Sequence, residues 1–269
     1  PKTKLAKNVI VCLCSNECDF HRPIREGLTA ANRKFAKAVE GWGANGPLYL
    51  WNYTTDFCSY LMPFPNLNVL RDNMRYFADN HVKGLFEEGN YNSVNGEFGE
   101  LRAYLLTCLF RDPFCDLAAE RASFLQAVYG NGGQAVGEFL DFVCDNAKTR
   151  HLGIFQPMRR TLRLTARDVT RCDAWWDEAE AAAGDKAENV QRSRLCFEYW
   201  KMQTRRGAFR NPATFRKKRE ALLGAINAAG VTRLRESTDR KARQISLGQA
   251  AYFKAYPVAS RVLDRVYRK

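Results

Sequence analysis

Residues 48–57, LYLWNYTTDF, carry the pattern on which the fold turns. Leu48 to Trp51 is a short apolar and aromatic run, and it passes without a break into Asn52, Tyr53 and Asp56. Two other stretches do the same. Residues 9–14 (VIVCLC) lead into Ser15, Asn16, Glu17, Asp19 and His21, and residues 82–86 (VKGLF) lead into Glu87 and Glu88. Continuous apolar runs of this length, bounded by polar loops, read as strands of a parallel sheet covered on both faces. A segment of helical period follows each one, at 29–41, 68–80 and 97–110, the last with Leu101, Leu105 and Leu109 on one face. A repeat of roughly 35–40 residues suits βα units. The polar residues therefore collect at the carboxyl edge of the strands, where α/β barrels and doubly wound sheets bind their ligands.

The pattern changes at Arg111-Asp112-Pro113, because the residue before a proline avoids the helical region. Helical segments follow at 117–129 (with Asp116 as its cap), 134–148, 165–183, 187–205 and 212–229, punctuated by glycines. Strand character returns only at 152–155 and 162–164. The expected organisation is three βα units over residues 1–112, a helical bundle over 113–235 and a basic tail over 236–269. Three units cannot close an eight-stranded barrel, so sequence upstream of Pro1 is expected to complete the sheet. The chain opens PKTKLAKN, without Met or an apolar leader, and its first residue reads as a cut in a longer polypeptide.

The composition, 46% hydrophobic and 12% aromatic over 269 residues, excludes a disordered chain. No apolar run reaches the roughly 18 residues of a membrane span. The net charge of +13 is concentrated in residues 201–269, which hold 18 basic and 4 acidic side chains. Arg205, Arg206 and Arg210, the run RKKR at 216–219, Arg233, Arg235, Arg240, Lys241 and Arg243 form its clusters. They read either as a solvated helical face or as a polyanion-binding patch. Nucleic acid is not expected as a partner, since no recognition motif accompanies the charge and the aromatics do not interleave with it. The nine cysteines are an odd number without disulfide-framework spacing, and CLCSNEC holds no CxxC pair, so neither a metal nor another cofactor is expected.

Residues 49–113 also carry a resemblance. The runs YLWNYTTDFCSYLMPFPNL, LRDNMRYFADNHVKGLFEEG and GEFGELRAYLLTCLFRDP, with VIVCLCSNECDFHRPI before them, resemble the bacterial domain-of-unknown-function family 4838. That family is regarded as glycoside-hydrolase-like. The resemblance covers residues 1–145, and more loosely Arg192 to Tyr199. It implies an α/β fold, the C-terminal portion of a (β/α)₈ TIM-type barrel followed by a mostly helical domain, distantly similar to α-glucuronidases and β-hexosaminidase-type barrels. It implies a carbohydrate substrate and favours an extracytoplasmic location. The sequence leaves the oligomeric state open. The chain departs from the family pattern at Phe110-Arg111, where an apolar residue and Trp usually precede "DP".

Glycosidic cleavage uses two carboxyl groups, about 5 Å apart for retention and roughly 6.5–9.5 Å apart for inversion. Glu87, which matches the family's "FE", is the first catalytic candidate, and Asp56, about one βα unit earlier, is its candidate partner. Alternation points Glu87 and Glu88 to opposite sides of the strand, so only one faces the barrel mouth. Glu87 is assigned there, and Glu88 is a candidate substrate-binding residue whose plainer reading is a supporting or exposed position. Glu17, Asp19 and His21 are candidates for sugar hydroxyls, and Trp51 and Tyr53 for a platform under a pyranose ring. Each has a plainer alternative: an ion pair for Glu87, a turn or cap for Asp56, loop salt bridges for Glu17 and Asp19, a structural His21 and a core Trp51. The competing class is a noncatalytic carbohydrate-binding or scaffold protein.

Overall fold

The computed structural model describes residue 2 and residues 4–147, 151–155, 162–204 and 212–236. Its sheet has three parallel strands in the order β1 (Val11–Cys14), β2 (Leu48–Tyr53), β3 (Val82–Glu88). Helices α1 (Ala30–Gly43), α2 (Leu70–Asp79) and α3 (Gly99–Arg111) follow them in turn. Val11 pairs with Leu48, so Val9 and Ile10 lie outside the ladder and are exposed, shortening the first strand from its expected start. The other two strands run past their apolar segments, because backbone pairing continues through Asn52–Glu87 and Tyr53–Glu88.

One irregularity sets the phase of β3. Leu48 pairs with Val82 but Tyr49 pairs with Gly84, so Lys83 is an extra residue in the strand. Such a bulge moves every later side chain to the other face. The ring of Tyr49 lies over Gly84, where a Cβ would stand 2.9 Å from it. Leu48 and Leu50 face the helices and are fully buried. The opposite face is open: Tyr49, Trp51 and Phe86 are 47%, 41% and 54% exposed.

After Asp112 come α4 (Leu117–Tyr129), α5 (Gly133–Asn146), α6 (Ala166–Ala182), α7 (Ala187–Thr204) and α8 (Pro212–Ala228). The Asp116 carboxylate accepts from the amides of Ala118 and Ala119 and starts α4. Thr165 and Asp168 form a reciprocal capping box that starts α6. Trp176, Phe139, Phe98 and Phe197 stack or pack edge-on, and one buried core runs from the sheet into these helices. The expected start of α3 at Glu97 is displaced to Gly99, since Phe98 takes a left-handed backbone (φ 45°). Glu97 instead forms a buried ion pair with Arg102, whose guanidinium also donates to Asn66 and to the Phe64 carbonyl. The expected strand at 152–155 is not formed. Leu152 and Ile154 bond across to the loops after β1 and β2, through Phe20 N to Leu152 O (2.9 Å) and Phe57 N to Ile154 O (2.8 Å). Leu162 and Leu164 are buried without entering a sheet.

The RKKR run lies on α8, where Arg216, Lys217 and Lys218 are exposed. Arg205, Arg206, Arg210, Arg240, Lys241 and Arg243, and all of the expected basic tail except Glu236, lie outside the described residues. Among the described residues no helix is long and apolar enough to cross a membrane.

Candidate functional site at the carboxyl edge of the sheet

On the helix-facing side, each strand contributes one polar side chain to a single chain of hydrogen bonds. Ser15 Oγ donates to Asn52 Oδ1 at 2.5 Å, and Asn52 Nδ2 donates to Glu87 Oε1 and Oε2 at 3.0 and 2.9 Å. The ladder aligns them, since Ser15 N continues the pairing onto Trp51 O and Asn52 lies opposite Glu87. Burial raises the Glu87 carboxyl from 4.5 to about 8, against a smaller lowering by the Asn52 bond. Glu87 is therefore mostly protonated at neutral pH.

The open side is built differently. Trp51 Nε1 donates to Glu88 Oε2 at 2.7 Å, and the indole meets the Phe86 ring edge-on at 5.2 Å. Tyr53 shares this face. Its hydroxyl lies 2.9 Å from Cys14 Sγ, and its ring packs edge-on against Phe20 and Phe57. Burial, then the Cys14 contact, raises the Tyr53 hydroxyl well above its ordinary value. The bulge at Lys83 thus brings Glu88, and not Glu87, to the side shared with Trp51 and Tyr53.

Two further candidates form a separate unit in the loop after β1. Asp19 is fully buried and accepts from His21 Nδ1 at 2.7 Å and from Leu152 N at 3.0 Å, with Arg22 Nε 3.7 Å from its second oxygen. Burial alone would raise this carboxyl, but the His21 and Leu152 bonds hold it below its ordinary value. Asn32 of α1 fixes the same loop through Asp19 N, Asp19 O and Arg22 O. Asp56 is fully buried, and its Oδ1 accepts from Cys58 N at 2.9 Å. Its Oδ2 has no hydrogen-bond partner among the described residues, and burial raises the carboxyl well above its ordinary value. None of its hydrogen bonds leads to Glu87. Glu17 stands in solvent, 3.4 Å from Lys34 of α1. The edge therefore joins Trp51, Tyr53 and Glu88 on one side and Asn52 and Glu87 on the other, while Glu17, Asp19, His21 and Asp56 serve other contacts.

Ser15 and Asn52 emerge as the links between strands. Their position after apolar runs was legible, but their pairing depends on register. The return of residues 231–236 to this edge, which delivers Arg233 and Glu236, left no local signal. Among the described residues no three His, Cys, Asp or Glu side chains converge as metal ligands, and all nine cysteines are free thiols.

The family described as a domain of unknown function (DUF4838) matches over residues 1–141, just over half of the chain, and the chain belongs to it. No curated protein matches the chain, and no solved structure does.

Proposed function

We propose that this member of DUF4838 carries the strand-edge site of a carbohydrate-active enzyme that hydrolyses glycosidic bonds. The observation that carries the reading is the pairing of the Glu88 carboxyl with the indole N–H of a half-exposed Trp51 on the open face of a parallel sheet. A pyranose presents a CH face that packs on an aromatic ring and hydroxyls that need a carboxyl beside it. Trp51 and Phe86 supply the first, and Glu88 the second. Glu87 has a different part: neutral and tied to Asn52 and Ser15, it locks the three strand ends together beneath that surface. Parallel sheets are ordinarily covered on both faces, so the open face fits a sector of a larger (β/α) barrel whose further strands would enclose it.

The test is turnover of a panel of p-nitrophenyl α- and β-glycosides, neutral and uronic, by wild type, Glu88→Gln and Glu87→Gln. Glu88→Gln is expected to lower turnover by about 10²–10⁴-fold, the ordinary contribution of a general acid or base. Glu87→Gln is expected to act mainly on stability. Unchanged turnover in Glu88→Gln would remove the assignment. A second reading, a noncatalytic sugar-binding surface, is favoured by the aromatic row Tyr49, Trp51 and Phe86. It would be recognised by quenching of Trp51 fluorescence on sugar addition without turnover.

A further inference from the structure

We propose that Glu236 is the second carboxyl group of the cleft opened by Glu88 and Trp51, with Tyr91 standing between the two. The inference rests on the carbohydrate-active reading above and names the partner that reading lacks.

The segment after α8 turns at Gly230, whose φ of 72° is a left-handed conformation suited to glycine. It then returns to the sheet edge and buries Val231 and Leu234. Polar bonds fasten it to the loops after β2 and β3. Tyr60 N donates to Leu234 O and Glu236 N to Phe57 O, both at 2.9 Å. Thr232 Oγ1 donates to Asn92 O at 3.3 Å, Arg233 N to Ser93 Oγ at 3.1 Å, and Asn92 Nδ2 to Glu236 O at 3.3 Å. Glu88 is fixed from the other side, its carbonyl accepting from Thr54 N at 2.9 Å and Thr54 Oγ1 at 3.1 Å.

Tyr91 follows Glu88 by three residues, and its hydroxyl donates to Glu236 Oε1 at 3.2 Å. Its ring is 66% exposed, so the space beside it is open to a ligand. Beneath it, Tyr60 donates to Asn92 Oδ1 at 2.9 Å. Burial raises the Tyr60 phenol and a slight desolvation the exposed Tyr91 phenol, and in each Glu236 and, more weakly, Glu88 raise it further. Arg233 offsets part of that negative charge. Among the described residues the Glu236 side chain makes one hydrogen bond, to Tyr91. The segment is held chiefly by its backbone bonds and by two buried apolar residues, and a hydrogen bond to an exposed tyrosine adds little to that. A carboxyl bonded to an exposed tyrosine that follows Glu88 by three residues is placed for a substrate.

In hydrolysis one carboxyl gives its proton to the leaving oxygen as the anomeric C–O bond breaks. The other bonds the anomeric carbon or takes a proton from the attacking water, and one water is consumed overall. Asp56 does not fit either part, being enclosed, with its carboxyl bonded among the described residues to Cys58 N.

The full chain is compared with Glu236→Gln and Tyr91→Phe on the p-nitrophenyl glycoside panel, with kcat and KM across pH and melting curves alongside. Glu236→Gln is expected to lower kcat by about 10²-fold or more, leave KM within a few-fold and remove one limb of the bell-shaped pH profile. Tyr91→Phe, which deletes only the hydroxyl bonded to Glu236, is expected to shift that same limb. The limb shift also carries the test should Glu236→Gln melt early. If wild type is active and Glu236→Gln matches it within twofold with an unmoved profile, the inference fails while the functional reading stands. If wild type turns over no glycoside of the panel and no sugar changes its fluorescence, the functional reading fails and the inference with it.

Discussion

Replacing Glu87 by Gln should flatten the pH dependence of stability and make the variant more stable than wild type in mild alkali. The Glu87 carboxyl is raised by burial from 4.5 in water to about 8 in the fold. Between those values the folded state holds more protons than the unfolded state, so stability falls as pH rises. The contribution is complete below the unfolded value and is lost as pH passes the folded one. Between about pH 5 and about pH 7 the cost of this single ionisation grows by ~2.5 kcal/mol. A Gln at this position never ionises, but its amide would face the Asn52 amide that now donates to both Glu87 oxygens. The loss of one acceptor costs the variant about 1 kcal/mol at acid pH. The two stability curves should therefore cross near pH 5: wild type ahead near pH 4, the variant ahead near pH 8. Urea unfolding followed by circular dichroism across that range measures both. Glu97, raised by burial to about 7 despite Arg102, adds a similar slope to both proteins, so the difference between them isolates Glu87. A difference constant from pH 5 to pH 8 would show that Glu87 ionises as it does in water and would refute the burial argument.

Arg102→Leu should cost about 3–5 kcal/mol, because it strands the buried Glu97 carboxyl and unpairs Asn66 and the Phe64 carbonyl. The loss should be smaller in acid than in alkali, since Glu97 is then protonated; thermal melts at two pH values check this. Deleting Lys83 should remove the bulge and still leave Gly84 opposite Tyr49 and Glu87 opposite Asn52, because the pairing from Gly84 onward already skips that residue. The pH-dependent stability difference assigned to Glu87 should therefore persist in the deletion variant, and its loss would show that the ladder beyond Gly84 depends on the extra residue.

Much of the sheet was legible because its strands are short apolar runs separated by helical period, and the helical region was legible from its glycines and caps. The alternation of Glu87 and Glu88 was legible too. Which of them faces outward was not. Both faces of a parallel strand carry apolar residues, so hydrophobicity does not tell Leu50, fully buried, from Trp51, 41% exposed. Asp56 reads in sequence as a strand-end carboxyl, yet it is buried by Phe57 and Ile154 backbone pairing that joins segments nearly one hundred residues apart. Glu236 is more distant still from Tyr91, and nothing local distinguishes it from the other charges of a basic C-terminal region.

The extra residue at Lys83 is the step from which the site follows. In an unbroken register begun at Leu48–Val82, Tyr53 would lie opposite Glu87, and the carboxyl beside the exposed indole would be the one the sequence motif suggests. With the bulge, Asn52 takes Glu87 on the enclosed side, where desolvation keeps its proton, and Trp51 takes Glu88 on the open side. Two neighbouring carboxyls of the same chemistry are thereby given separate settings, one bonded among the strand ends and one on the open face. The close approach that the bulge requires is visible at Gly84, where the Tyr49 ring leaves room for no Cβ. A side chain at that position would have to displace Tyr49 from the open face, so Gly84, Lys83 and the orientation of Glu88 form one linked choice of backbone rather than three independent residues.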